Sequence, residues 1–354
     1  MLVLLHDSQL ADTIITAHVD QNIVYHSLPT LEPSKHIVGF NDEVIDTLYL
    51  TANASSSTST ASSAETHLAV ATNSDLIRIY DLSSFDTTLL SGHADVVLCL
   101  ARNSAGNLLF SGSKDRTARL WRSFTNEHGK VAWKCIAVFE GHLESIGAVA
   151  IAKKNGLIAA TASQDKTVKL WDLTPFLNDE DISLDSAPVK AHAMITVKVH
   201  EKDINTLDFA PNDRILATGS QDKTAKLFAI DYTPATKAQP VPTAKLNPIG
   251  LLKGHKRGVW SVKFSPTEQC IATASGDQTI KLWNINDFSC LKVRVYLLHA
   301  SNSAGRCIEL TMLFYFIDSG RSHEHDPTAG FLTERAAACL MWVRWSSESL
   351  ERQR

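Results

Sequence analysis

Residues 254–283 read GHKRGVWSVKFSPTEQCIATASGDQTIKLW, and this stretch decides the fold. It contains three short segments, VWSVKF, CIATAS and TIKLW, which are rich in apolar and β-branched residues and are separated by turn-forming residues. Such segments are typical of β-strands joined by tight turns, and SCLKV, shortly after them, predicts a fourth strand. We therefore expect one four-stranded sheet from residues 254–293.

The same pattern occurs three more times in the chain. The other segments run from Gly92-His93 to Trp121, from Gly141-His142 to Trp171, and from Val199-His200 to Phe228. In all four segments the His precedes the aromatic residue by 28 or 29 positions, and an Asp precedes it by six. One four-stranded sheet cannot bury both of its faces alone, whereas sheets stacked radially bury them against each other. The sequence therefore predicts a repeat architecture of stacked blades.

These segments resemble the repeats of the WD40 family. The resemblance implies an all-β fold, a WD40 β-propeller that is incomplete here, with about five recognisable blades and part of a preceding one. We expect residues 1–38 to be the end of a preceding blade or first propeller. Repeats are expected at about 39–82, 92–122, 141–173, 199–230 and 254–293. Residues 294–354 carry no repeat signature and are expected to be a disordered or aberrant tail that can be removed without loss of stability.

In the WD40 family, a His, a Ser, an Asp and a Trp of each repeat form a buried hydrogen-bond network. The resemblance gives this role to four sets: His93, Ser113, Asp115 and Trp121; His142, Ser163, Asp165 and Trp171; His200, Ser220, Asp222 and Phe228; and His255, Ser275, Asp277 and Trp283. Phe228 has no indole N–H, so the third network is expected to lack one donor. A catalytic triad is the alternative, but a triad occurs once beside a cleft, and this trio recurs in every repeat. We therefore predict no catalytic residue and no enzyme activity.

An upstream repeat over residues 39–82 departs from this pattern. It has Phe40 in place of the His, Ser74 in place of the Asp and Tyr80 in place of the Trp. A Ser/Thr-rich tract from Thr51 to Thr66 lies between its first two strands and is too polar to pack, so we predict a disordered loop.

Two further segments interrupt the repeats. Residues 174–198 and 231–247 are rich in Pro, Ala, Asp and Thr. Stretches of this length and composition are typical of connections, so both are predicted to loop out between blades.

The composition argues against several classes of protein. The net charge is −4, and no basic patch stands out along the chain, which argues against a nucleic-acid-binding domain. The six cysteines include no CxxC pair, so we predict neither a metal site nor another cofactor. The longest apolar run, residues 310–317, is far shorter than the roughly 20 residues that span a bilayer. We expect a soluble intracellular protein with no membrane contact and no small-molecule substrate.

Some stretches are more particular than the general WD40 pattern. HIVGFNDEVIDTLYL, VHEKDINTLDFAPNDRILATGSQDKTAKLF and DFSCLK look like the transducin-beta-like, U3 small nucleolar RNA-associated WD-repeat proteins of the small-subunit processome, over about residues 11–292. Members of that family carry two tandem propellers and a C-terminal helical domain. The resemblance implies a non-catalytic scaffold in the nucleus and nucleolus that supports pre-18S rRNA processing and ribosome assembly. Its implied partners are other WD-repeat subunits of the processome, with U3 snoRNA and pre-rRNA contacted mainly through the complex.

A generic WD40 adaptor in signalling or ubiquitin ligation is the alternative. A G-protein β-like subunit would need an N-terminal helix with heptads, and nothing of that kind precedes the repeats. A ubiquitin-ligase adaptor typically shows Trp-Asp-x-Arg, whereas this chain reads Trp171-Asp172-Leu173-Thr174, with Thr174 in place of the Arg. A direct RNA binder would interleave basic and aromatic residues, and only Lys253, Lys256, Arg257 and Trp260 approach that pattern.

The resemblance also indicates where partners would bind. In WD40 repeats, the start of the first strand and the residue before the turn Asp face the top of the propeller. We expect a partner surface at Lys114, Gln164, Asp203, Asn205, Gln221, Arg257 and Trp260, with Val96, Leu98, Ser145 and Gly258 beside them. Trp260 is the strongest candidate, because Trp is enriched among the few residues that dominate binding energy.

Overall fold

A computed structural model describes residues 2–5, 13–17, 22–27, 32–38, 42–51, 66–84, 86–125, 131–177, 187–235 and 241–295. The predictions for Phe40, for most of the tract from Thr51 to Thr66 and for the tail from residue 296 fall outside these ranges. Within them, no helix is long and apolar enough to cross a bilayer.

The described residues form six sheets, called blades 1 to 6 here in chain order. Blade 1 contains β1 (Leu2–Leu5), β2 (Thr13–Ala17), β3 (Ile23–Ser27) and β4 (Pro33–Ile37). Blade 2 contains β5 (Val44–Leu50), β6 (His67–Thr72), β7 (Ile77–Asp81) and β8 (Thr87–Leu90). Blade 3 contains β9 (Val97–Arg102), β10 (Leu108–Ser113), β11 (Ala118–Thr125) and β12 (Val131–Phe139).

Blades 4 to 6 follow the same plan. Blade 4 begins with β13 (Ile146–Ile151), β14 (Ile158–Ser163) and β15 (Thr167–Asp172), followed by a short 3-10 helix at Thr174–Phe176. The chain then forms β16 (Val189–Ala191), which joins blade 3, and β17 (Ala193–Lys198), which completes blade 4. Blade 5 contains β18 (Ile204–Phe209), β19 (Ile215–Ser220), β20 (Thr224–Thr233) and β21 (Thr243–Lys253). Blade 6 contains β22 (Val259–Phe264), β23 (Cys270–Ser275), β24 (Thr279–Asn284) and β25 (Cys290–Val295).

The core lies between neighbouring blades. The inner strands β5, β9, β13, β18 and β22 lie side by side in that order, with β1 beside β5. Side chains alternate along each strand, so each of blades 2 to 5 packs one face on the blade before it and the other on the blade after it. Between blades 3 and 4, for example, Phe139 packs edge-to-face on Trp171, with ring centroids 5.2 Å apart. This stacking is what the repeated sequence pattern predicts for propeller blades.

Side-chain hydrogen bonds also tie the inner strands together. The buried carboxylate of Asp208 in blade 5 accepts the backbone N–H of Phe264 in blade 6 (2.9 Å) and the ammonium of Lys153 in blade 4 (3.0 Å). Asp213 accepts the backbone N–H groups of residues 153–155 across the same junction. Side chains of blade 5 thus satisfy backbone N–H groups of both neighbouring blades.

The four strands predicted for residues 254–293 are confirmed in blade 6. The last of them runs to Val295, two residues beyond the expected boundary. For residues 1–38 the sequence predicts only the end of a blade, whereas the structure has four paired strands there.

The prediction that residues 174–198 and 231–247 loop out is wrong for most of their described parts. Residues 193–198 form the outer strand of blade 4, and residues 189–191 pair with β12. In blade 5, the β20–β21 ladder continues to the pair Thr233 and Thr243. These are outer strands or extensions of them, and edge strands tolerate compositions that hide the period-two signal.

Candidate functional site at the turn end of the blades

The turn between the second and third strands has the same construction in blades 3 to 6. In blade 6, Asp277 Oδ1 accepts the backbone N–H (3.0 Å) and hydroxyl (2.6 Å) of Thr279. Its other oxygen accepts the backbone N–H of Lys256 (2.7 Å), which lies in the loop entering the blade. The equivalent carboxylates are Asp115, Asp165 and Asp222. We call this end of each blade, which carries the turn Asp, the turn end.

A buried histidine joins each of these carboxylates. The Nδ1 atoms of the four histidines lie 2.7–3.1 Å from the Oδ2 atoms of Asp115, Asp165, Asp222 and Asp277. A carboxylate only accepts hydrogen bonds, so Nδ1 carries the proton. The Asp and His of the expected network are therefore in direct contact in all four blades.

The hydroxyl member of the network differs from the expected one. In blade 3, Trp121 Nε1–H donates to Ser111 Oγ (2.8 Å), and the same oxygen lies 2.8 Å from His93 Nε2. Ser113, the expected member, instead donates to Asp95 O (2.9 Å) and accepts the backbone N–H of Asp115 (3.0 Å). The bridging hydroxyl is thus two residues earlier than predicted.

The same correction applies to the other three blades. The hydroxyls that contact the His Nε2 atoms there belong to Thr161, Thr218 and Thr273, and those of Thr161 and Thr273 also accept the Trp N–H. Ser163, Ser220 and Ser275 take the role of Ser113 and fix the turn. A signal was present in the sequence, because this position holds Ser or Thr in all four repeats. The serine two residues before the Asp also recurs in all four repeats, and for that reason the sequence predicted it as the network hydroxyl.

The third repeat lacks one donor, as Phe228 predicts. Thr218 Oγ1 lies 2.8 Å from His200 Nε2 and 3.4 Å from Lys226 O, and it has no indole N–H to accept. The hydroxyl in blade 5 therefore serves one ring nitrogen, whereas those in blades 3, 4 and 6 serve two.

The surroundings of His255 and His200 favour their neutral form. Because the indole N–H only donates, the Thr273 oxygen accepts it and directs its own proton to His255 Nε2. Burial lowers the pKa of His255 and of His200, and the hydrogen bonds to their Asp partners oppose part of that shift. A protonated ring would place a second N–H against a hydroxyl that is already donating to it.

The turn carboxylates stay ionised despite their partial burial. Burial favours their protonated form, but hydrogen bonds from Thr279, from the Lys256 backbone N–H and from His255 lower the pKa of Asp277 to about 2. The pKa values of Asp115, Asp165 and Asp222 are also held below the ordinary value, by hydrogen bonds of the same kind.

The hydroxyls of these sets are fully buried: Ser111, Thr161, Thr218 and Thr273 are 0% exposed. The His nitrogens and the carboxylates are satisfied by fixed partners, and the arrangement recurs in four blades. Over the described ranges, no group of three or more His, Cys, Asp or Glu residues is placed to hold a metal ion. The network's chemistry is therefore that of a structural clamp.

Blade 2 replaces this clamp with an ion pair. Arg78 Nη2 donates to Asp42 Oδ2 (3.4 Å), and the Ser74 hydroxyl lies 3.1 Å from that of Thr72. Tyr80 occupies the position of the Trp and is half-buried.

The expected partner surface gathers at the turn end. In each of blades 3 to 6, the residue before the turn Asp donates its backbone N–H to the carbonyl oxygen of the residue that directly precedes the first strand. These pairs are Lys114 with Val96, Gln164 with Ser145, Gln221 with Asp203, and Gly276 with Gly258, at 2.9–3.1 Å. The same end of four successive blades thus carries the candidate residues. Lys114, Gln164, Arg257 and Trp260 are exposed, and Asp203 and Gln221 are half-buried.

Trp260 and Asn205 have different surroundings within that set. Trp260 is 36% exposed and lies over the turn, because a Cβ at Gly276 would meet its Nε1 at 2.8 Å. Asn205 is half-buried, and its Nδ2 donates to Val259 O (2.9 Å). Asn205 therefore joins blades 5 and 6.

The family comparison identifies the repeats directly. The WD domain, G-beta repeat family matches residues 84–122, 133–172, 193–228 and 246–284. This chain is a WD40-repeat protein. Each matched unit begins in or just before the outer strand of one blade, such as β8 or β21, and continues through the first three strands of the next. Every WD40 repeat therefore connects two blades.

The chain is similar to several characterised proteins. It is 39% identical over 257 residues to transducin beta-like protein 3 of Mus musculus, covering 73% of this chain and 29% of the relative. It is 33% identical over 208 residues to U3 small nucleolar RNA-associated protein 13 of Saccharomyces cerevisiae, covering 55% of this chain and 23% of the relative. THO complex subunit 3 of Arabidopsis thaliana is 29% identical over 215 residues, covering 57% and 67% of the two chains. The WD40 chain described here spans less than a third of the length of the first two relatives.

Proposed function

We propose that this WD40 chain is a non-catalytic scaffold subunit of the nucleolar small-subunit processome. In this role it supports pre-18S rRNA processing and ribosome assembly through contacts with other protein subunits. The observation that carries the proposal is the similarity to transducin beta-like protein 3 and to a protein named for its association with U3 small nucleolar RNA.

The geometry supports a scaffold rather than a catalyst. In four blades the same pairing of His with Asp occupies these groups with internal partners. The turn end then offers a broad surface with an exposed Trp260 beside Arg257. Protein interfaces use such aromatic and arginine side chains as anchors.

Contact with U3 snoRNA and pre-rRNA is proposed to run mainly through partner proteins. The turn end carries acidic groups, Asp203 and the turn carboxylates such as Asp277, as well as the exposed cations Lys114 and Arg257. Direct phosphate binding would favour an excess of cations on one surface.

An affinity purification tests the proposal. The full chain is tagged in its own cells, and U3 snoRNA in the purified material is measured relative to an unrelated small nucleolar RNA. We expect enrichment of U3 snoRNA together with other WD-repeat proteins. Trp260→Ala should lower this enrichment, whereas Val241→Ala should leave it unchanged, because Val241 is an exposed apolar residue at the opposite end of blade 5.

The competing assemblies give different results in the same purification. A signalling adaptor would recover a small G-protein γ-like chain, a ubiquitin-ligase adaptor would recover ligase subunits, and neither would enrich U3 snoRNA. A complex like that of THO complex subunit 3, the third relative, would also lack U3 snoRNA. Any of these results would contradict the proposal.

A further inference from the structure

Blade 3 carries a strand that the other blades lack in the described residues. β16 pairs in parallel with the outer strand β12, with Val138 opposite Lys190. The Lys190 ammonium lies 3.1 Å from Glu140, the residue that follows β12. The outer edge of a blade in this chain therefore accepts an added extended segment.

The added strand coincides with the burial of one apolar side chain. Val138 lies opposite Arg119 of the third strand and is only 7% exposed. The residues at the same position in blades 2, 5 and 6, opposite the basic residue of the third strand, are also apolar. They are Leu89 (55% exposed), Leu251 (42%) and Val293 (48%). An apolar residue at this edge position is thus covered where a strand is added and uncovered where none is described.

β21 is the best candidate for a further added strand. With 11 residues it is the longest described strand, and over the described ranges nothing pairs with it on the side away from β20. Ile249 has no opposite residue in β20, because the pairing shifts there, and its side chain is exposed like that of Leu251. Phe288 of blade 6 packs against Gly250, because a Cβ there would meet its ring at 2.5 Å. The strand is therefore held in place while its outer edge is open.

The charge beside this edge is opposite to that in blade 3. Lys253 directly precedes Gly254-His255, just as Glu140 precedes Gly141-His142. Lys253 is exposed. A segment on β21 would therefore be favoured by an acidic residue at the place where β16 carries Lys190.

We propose that the outer edge of β21 around Leu251 binds an extended segment of a partner protein as an added parallel strand. Main-chain hydrogen bonds to β21 would hold the segment, as in other cases of strand addition. Its side chains would cover Leu251, and an acidic residue would face Lys253. This surface is the outer edge of blade 5, whose Lys253 end adjoins the turn end, and the proposal does not depend on which assembly the chain joins.

A pair of peptides tests this proposal on the full chain. The probe is a peptide of the β16 sequence, residues 187–193 (APVKAHA), compared with its Lys190→Glu form. Hydrogen exchange measured by mass spectrometry reports which amides each peptide protects. We expect the Lys190→Glu peptide to slow exchange over residues 249–252 and to bind about tenfold more tightly there than the unchanged peptide.

Two variants of the chain complete the test. Lys253→Glu should reverse the preference between the peptides, and Leu251→Lys should remove binding of both, because a charged edge residue opposes strand addition. Equal binding of the two peptides by both charge forms of the chain would overturn the proposal. Protection confined to residues 137–139 would also overturn it, since the peptide would then only exchange with β16. Dimers that disappear with Leu251→Lys would show that a second copy occupies this edge and that the partner assignment is wrong.

Discussion

A single buried hydroxyl serves two ring nitrogens in each complete clamp. Thr273 accepts the indole N–H of Trp283 from the third strand and donates to His255 from the entering loop. Removing that oxygen leaves two buried polar atoms without a partner. In blade 5, Thr218 serves His200 alone, so the same change leaves only one.

This difference gives a matched pair of substitutions. Thr273→Val should lower the free energy of unfolding by about 2–3 kcal/mol, and Thr218→Val by about 1–2 kcal/mol, because each unsatisfied buried group carries its own penalty. Both changes keep the side-chain shape. Denaturant unfolding of the two variants measures the difference. Equal losses of unfolding free energy would contradict the different hydrogen bonding of the two hydroxyls.

The neutral histidines predict how stability changes with pH. His255 and His200 have lowered pKa values in the folded chain, so the unfolded chain binds more protons once the pH falls below the ordinary His value. The free energy of unfolding should therefore be fully maintained above about pH 6.5 and should fall as the pH drops towards 5. The Asp277 contribution is lost only below about pH 4, since its pKa lies at about 2.

A double variant separates the histidine contribution to this pH dependence. His255→Gln together with His200→Gln should flatten the decline in stability between about pH 7 and 5, because Gln does not titrate. Thermal unfolding across that range measures the slope. An unchanged slope in the double variant would show that other groups cause the pH dependence.

Trp260 is the residue on which a contact role can be tested most simply. We expect Trp260→Ala to weaken binding to the purified partner by roughly 1–3 kcal/mol while leaving the melting temperature unchanged. Val241→Ala is the control, as an exposed apolar residue away from the turn end. Global unfolding of the Trp260 variant would place this side chain in the core instead.

At the scale of elements, the outer strands were the hardest to predict. The first three strands of a blade are packed between neighbouring blades, so their apolar residues alternate clearly in the sequence. In blade 6 the outer strand was predicted as well, and all four strands expected in residues 254–293 are present. β21 contains Pro248 at a shift in its ladder, and β17 follows a long insertion. An edge strand can hold Pro because one side of it needs no ladder partner. The composition of these two segments therefore predicted linkers where the fold has the outer strands β17 and β21.

Links between blades were not predicted either, because they join residues far apart in the chain. Asp213, in a left-handed conformation with φ +61°, accepts backbone N–H groups from the loop at residues 153–155. Asp213→Asn keeps one acceptor and the conformational tolerance but removes the charge. We expect it to destabilise the chain by about 1–2 kcal/mol, measured by denaturant unfolding. Asn212→Ala is the control, because among the described hydrogen bonds the Asn212 side chain contacts only the backbone N–H of Arg214. This variant should lower the free energy of unfolding by less than Asp213→Asn does.

At the scale of the whole molecule, the number and order of the main repeats followed from the sequence. The spacing between His, Asp and Trp is nearly constant because these residues must contact one another within a blade. It therefore stays recognisable although other positions differ between the repeats. Blade 1 has no such clamp in its described residues, and only weak strand signals marked it. The fifth strand on blade 3 could not be predicted, since nothing in residues 189–191 says which edge they join.

A depletion experiment tests the proposed role of this WD40 chain as a scaffold in making the small ribosomal subunit. Mature 18S rRNA is measured relative to the large-subunit rRNA after the chain is depleted from its own cells. We expect this ratio to fall, the unchanged chain to restore it, and the Trp260→Ala chain to restore it less well than the Val241→Ala chain. An 18S ratio that stays constant after depletion would show that the chain has no such role.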